Sequence, residues 1–139
     1  MEADDLFAPP PASLKSEPKH RVVAWLPGPD DAVSTVAALI DAGLPADDVW
    51  VLCGDEGARR LDPTGRHHGL KGRLIRAAQA AASAGGLIAD DAAHLEAGGV
   101  IVTAPARDPE ERKLAQHILR EHGASEMRYF GSLTWEEVS

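Results

Sequence analysis

The chain reads as an α/β domain of ferredoxin-like type: two βαβ units forming a four-stranded antiparallel sheet, with a helical insertion between strands two and three. Three observations predict this. Short runs rich in Val or aromatic residues recur at Arg21–Leu26, Val49–Cys53, Val100–Ala104 and Glu126–Phe130, each flanked by Gly or Pro as strands are. Segments of helical period join the first run to the second and the third to the fourth. The order strand, Pro, acidic helix start, helix, Gly, strand, Gly occurs from Val22 to Gly54 and again from Val100 to Gly131, so one unit is written twice. Because βαβ crossovers are right-handed, two such units most economically interleave in one sheet with both helices on one face.

Residues 1–19, Pro-rich and polar, read as a disordered tail without the basic start and apolar run of a signal peptide. The domain therefore spans 20–139, with the insertion at 54–99. After the first strand, Pro27-Gly28-Pro29 stops the run, and Asp30 and Asp31 stand where an N-cap and first turn favour carboxylates. Val33, Val36, Ala37 and Ile40 then repeat at helical spacing. Gly43 closes that helix as a left-handed cap and Pro45 prevents re-entry. In the second unit, Asp108-Pro109-Glu110-Glu111 combines an N-cap Asp, Pro at the first helical position and Glu three residues after the cap. A helix starts there and runs through Leu114, Ala115, Ile118 and Leu119 to Gly123.

The insertion holds the densest signal. Arg59, Arg60, Arg66, Lys71, Arg73 and Arg76 supply six of the chain's 14 Lys and Arg residues, with Asp62 the one carboxylate among them. A local positive field on a chain of net charge -8 attracts an anionic ligand or the acidic face of a second copy. Asp62-Pro63-Thr64-Gly65 suits a type I turn. Gly69 and Gly72 open an expected helix whose Leu70, Leu74, Ala77 and Ala81 share one face, with Arg73 and Arg76 on the other, ending at Gly85-Gly86. Asp90–Ala97 reads as a further helical turn or two with an acidic start.

The segment DDVWVLCGDE, a helical insert and then HLEAGGVIVTAPA together resemble the bacterial heat-induced or general stress protein domain. The run GDEGARRLDPTGRHHGL is similar to one in small uncharacterised bacterial proteins close to that family. The resemblance covers residues 21–104, with a weaker likeness over the second βαβ unit. It implies a stress-associated role and carries over no catalytic residue. The long basic insert and the complete C-terminal repeat depart from the shorter family members.

The charged groups allow several readings. Arg59, Arg60, Arg66, His67, His68 and Arg73 form the candidate anion site, the glycines before the expected helix turning backbone N–H groups outward. Their spacing is neither a Walker loop nor a dinucleotide fingerprint, and salt bridges to Asp55, Glu56 and Asp62 explain the same charges. His67 and His68, with Asp55, Glu56 or His94, invite a metal, but adjacent histidines diverge and no ligand spacing accompanies them, so no metal site is expected. Cys53, closing a strand, reads as a small buried residue rather than a nucleophile activated by His67 or Arg59. An enzyme would use Asp55 or Glu56 as base and His67 or His68 as acid near Arg59. Tyr129 and Phe130 point to opposite faces of a strand, so one of them covers an edge or a partner, and Trp135 in the tail LTWEEV is the first candidate for a dimer contact.

Composition bounds the function. With 139 residues, of which 44% are hydrophobic, one core is expected. The acidic balance argues against general nucleic-acid binding, which needs a basic surface. One cysteine forms no internal disulfide, and no segment approaches the roughly 18 apolar residues of a membrane span. The expectation is a cytoplasmic, non-enzymatic binding or regulatory module without a cofactor. Its candidate partners are a second copy, a small anionic ligand or another protein.

Overall fold

The computed structural model of the chain describes residues 20–54, 56–57, 74–76, 89–131 and 135–138. The elements run β1 (Arg21–Leu26), α1 (Pro29–Asp41), β2 (Trp50–Cys53), β3 (Leu74–Arg76), α2 (Ala89–Glu96), β4 (Val100–Pro105), α3 (Pro109–Glu121), β5 (Glu126–Phe130) and β6 (Trp135–Val138). A short 3-10 turn, Ala46–Asp48, leads into β2. Among the described residues, no helix is long and apolar enough to cross a membrane.

The strands form one open mixed sheet in the order β3-β2-β4-β1-β5-β6. Among the described residues β2 and β3 alone pair in parallel, and the other four pairings are antiparallel. The expected four-stranded sheet is thus corrected to six strands of mixed direction, the tail WEEV adding β6 beside β5 and the insertion adding β3 beside β2. Each βαβ unit is split by a strand of the other: β4 lies between β1 and β2, and β1 between β4 and β5.

The strand at Leu74–Arg76 overturns the helix expected through Leu74. A helix would place Leu74 and Ile75 about a quarter-turn apart, able to bury one of them well. In the sheet they point to opposite faces and are 1% and 0% exposed, because both faces are covered. Burying two such side chains is worth roughly 1.5–3 kcal/mol each, whereas helix propensity differs by under about 1 kcal/mol per residue. The remainder of that expected helix, the Asp62–Gly65 turn and the Gly85-Gly86 stop lie outside the described residues.

Alternation along the strands builds two cores. Val22, Ala24 and Leu26 of β1 and Val100, Val102 and Ala104 of β4 meet Val36 and Leu39 of α1 and Ala115 and Leu119 of α3. On the opposite face Val23, Leu52, Ile75, Ile101 and Phe130 meet Leu95 of α2. Neither Tyr129 nor Phe130 needs a partner molecule. Tyr129 packs against the first core with the Arg112 guanidinium 3.8 Å from its ring centre, and Phe130 enters the second core. Trp135 lies on β6, which pairs with β5 along Phe130↔Trp135 to Met127↔Val138; its side chain is outside the described residues.

Local signals set the helix ends. Asp108 accepts from the Glu111 N–H at 2.8 Å, with Pro109 in the first turn. Gly43 and Gly123 follow α1 and α3 at φ +103° and +90°, the left-handed conformation that Gly adopts without a Cβ penalty. At the start of α1 the cap is Gly28, and Asp30 and Asp31 both fall in the first turn.

Candidate functional site

At the end of the sheet where β1 and β2 finish and β4 begins, backbone segments approach closely. A Cβ on Gly54 would lie 3.1 Å from the Leu95 carbonyl oxygen, and one on Gly57 3.1 Å from the Cys53 Cβ. The absence of side chains at 54 and 57 is what lets the root of the basic stretch lie against α2 and β2. Cys53, closing β2, is fully buried, as its small apolar character led one to expect.

Beside this root stands a polar cluster built from four elements. The Asp91 carboxylate, 0% exposed, accepts from the Trp25 indole N–H at 2.6 Å through one oxygen and from the Arg128 guanidinium at 2.5 Å through the other. Arg128 is itself 5% exposed, and its guanidinium lies 5.7 Å from the Phe130 ring centre. One turn along α2, the His94 ring stacks on Trp25 with centres 4.6 Å apart and planes 11° off parallel. Its Nε2 lies 2.9 Å from the Leu26 carbonyl oxygen and 3.0 Å from that of Val100. Two carbonyl acceptors require Nε2 to carry the hydrogen, which it donates to the last residue of β1 and the first of β4. The same ring occupies the space above Gly99: a Cβ there would fall 2.3 Å from its Cε1.

A second buried cation sits at the opposite end of β1. Arg21, 3% exposed, donates to the Thr103 hydroxyl at 2.8 Å and to the Asp48 carbonyl oxygen, while its Nε finds no acceptor among the described residues. Burial pushes its pKa down to about 10, against the opposing pull of Asp48. It therefore stays charged at neutral pH. Nearby on the surface, Arg107 donates to both Glu111 carboxylate oxygens, at 3.0 and 2.8 Å. That pairing holds Glu111 below the usual carboxylate range and raises Arg107.

The candidate anion-site residues Arg59, Arg60, Arg66, His67, His68 and Arg73 lie outside the described residues, as do Asp55, Asp62 and Lys71. Of the groups weighed with them, Arg76 is the last residue of β3, opposite Cys53 in the parallel pair, and Glu56 is half-buried just after Gly54. His94, considered as a metal ligand, is committed to the two carbonyls and to Trp25. Among the described residues no three His, Cys, Asp or Glu side chains converge where a metal ion could be held.

The polar cluster is the feature sequence reasoning missed, because its members at 25, 91, 94 and 128 are far apart in the chain. One signal was available. In DDAAHLEA the positions that share a face, Asp91, His94 and Leu95, offer a single large apolar side chain, so a helix docking there must bury polar groups. Among the described residues both Asp91 oxygens accept, Arg128 neutralises them, and His94 donates to backbone. Such an arrangement holds α2 against β1, β4 and β5.

Comparison of the chain with protein-family models, curated proteins and solved structures finds no match.

Proposed function

We propose that the chain is a non-enzymatic binding or regulatory module that displays the basic Gly/His/Arg stretch of residues 54–73 to an anionic group. The observation that carries this reading is the parallel pairing of β2 with β3. A parallel neighbour needs a crossover, so the stretch that leaves β2 at Cys53 returns to the starting end of β3 at Leu74, anchored by buried Val51, Leu52 and Cys53 on one side and by buried Leu74 and Ile75 on the other. A charge-dense connection between two rigid strands suits display: the scaffold supplies position, and Arg59, Arg60, Arg66, His67, His68 and Arg73 supply donors for a phosphate or carboxylate. The order β2-β4-β1-β5 with α1 and α3 on one face supports a ferredoxin-like plait, with β3 and β6 added at its edges. A cytoplasmic, stress-associated setting and self-association complete the reading; the stress element rests on the sequence resemblance alone.

The test is thermal unfolding of the full chain at low salt with added inorganic phosphate, pyrophosphate or a nucleoside triphosphate. A compound that binds only the folded state stabilises by about 2.7 kcal/mol at a hundredfold excess over its Kd, several degrees in a domain of this size. The expected result is such a rise with at least one of these anions, weakened by salt and abolished in Arg66→Gln. Flat melting curves with all three would overturn small-anion display.

A further inference from the structure

We infer that α2 is a detachable strap, a helix that can leave the second face of the sheet as a unit while α1, α3 and the antiparallel strands stay folded. Three features of its attachment carry the inference. Its inward side chains are Asp91, His94 and Leu95, while Asp90, Ala92, Ala93 and Glu96 are exposed, so among the described side chains one large apolar residue anchors the helix. Beyond the stacking of His94 on Trp25, the remaining attachment among the described residues is by hydrogen bonds that can be exchanged for water: Trp25 and Arg128 hold Asp91, and the Leu26 and Val100 carbonyls hold His94. And a helix this short does not persist alone in water, so docking and helicity rise and fall together.

The rest of the fold offers a contrast. α1 and α3 each set several buried apolar side chains into the first core, which is formed without any residue of α2. Releasing α2 frees the charges of Asp91 and Arg128 to solvent at the same moment, so no buried charge is stranded by the motion. It also uncovers Leu95 and Ile101 and removes the Leu95 backbone from against Gly54. The strap thereby holds the point where the basic stretch begins, although its detachability does not depend on what that stretch binds.

Native-state hydrogen exchange of the full chain tests this. Amides of residues 93–97 are expected to exchange at least ~10-fold faster than the central amides of α1 and α3, with a weak dependence on denaturant, as a local opening does. Gly99→Ala, which drives a Cβ into the His94 ring, is expected to strip the remaining protection from α2 while α1 and α3 stay protected. Asp91→Asn, which weakens the grip on Arg128 by a different route, is expected to do the same. Equal rates and equal denaturant dependence for α2, α1 and α3 in the parent chain would overturn the inference. So would loss of protection in all three helices together in both variants.

Discussion

At the scale of single residues, two buried arginines have opposite dependencies on their surroundings. Arg128 faces a carboxylate fully withdrawn from water, and Arg21 has a hydroxyl and a carbonyl to donate to but no hydrogen-bonded carboxylate among the described residues. The lowering of the Arg21 pKa to about 10 means that its charged form is held in the fold at a cost on the order of 3 kcal/mol, partly offset by its two hydrogen bonds. Since the folded value lies below the unfolded one, the unfolded chain binds more protons between pH 10 and the ordinary arginine range. This group's contribution to stability therefore rises with pH across that window and is at its least favourable below it. Arg21→Met, which keeps length and removes the charge, is expected to shift the unfolding free energy at pH 7 by no more than about 1 kcal/mol, since a buried charge is often replaceable by an apolar side chain. Asp91→Asn removes the counter-charge that holds Arg128 and α2 together and is expected to cost more than Arg21→Met, by up to the free energy with which α2 docks. Urea titrations of the two variants side by side measure the difference; equal effects would mean that the Asp91–Arg128 pair carries no net charge coupling.

At the scale of elements, what was legible in the sequence follows from how local each signal is. β1, β4 and β5 are apolar runs closed by Gly or Pro, and α3 announces itself by Asp108-Pro109 at one end and Gly123 at the other; these signals lie within a few residues of what they specify. β3 was not legible. Three residues are too few to show alternation, and Leu74 followed by Ile75 becomes a strand through a parallel partner that the chain reaches only after residues 54–73. α2 was visible as a helix, but Asp91 looked like an ordinary acidic first-turn residue until Trp25 and Arg128 arrived from other strands. The candidate anion site was legible as a charge excess alone, a compositional signal that fixes no geometry. β3 is held on both faces, by Leu74 in the first core and by Ile75, 0% exposed, in the second. Ile75→Ala is expected to lower the unfolding free energy by about 2–5 kcal/mol, in the range of buried aliphatic truncations. Had Ile75 stood on a surface helix, the same change would have been neutral or slightly stabilising, so a denaturation curve for this one variant separates strand from helix.

At the scale of the whole molecule, the six-stranded sheet is open, and an open sheet must manage its two edges. On one side the last strand is β6, whose sequence WEEV places two carboxylates in a four-residue edge. Short length and charge are both features that discourage a second chain from adding on. The strand it covers is different in kind: β5, EMRYF, carries Met127, Tyr129 and Phe130 and is rich in residues that favour extended structure. Removal of residues 132–139 would expose the unpaired N–H and C=O groups of β5 along the register from Met127 to Phe130 and withdraw Val138 from the first core. The shortened chain is therefore expected to melt several degrees lower, because at least about 1 kcal/mol of edge pairing and apolar burial is lost. It is also expected to associate in a concentration-dependent way through the bared β5 edge. Light scattering coupled to size exclusion, run on full-length and shortened chains over the same concentration range, reads this directly. A shortened chain with the parent's melting temperature and the parent's mass at every concentration would show that β6 neither stabilises the sheet nor guards its edge. A lower melting temperature with unchanged mass would keep the stabilising role and assign protection of the edge to β5 itself, through the exposed charge of Glu126.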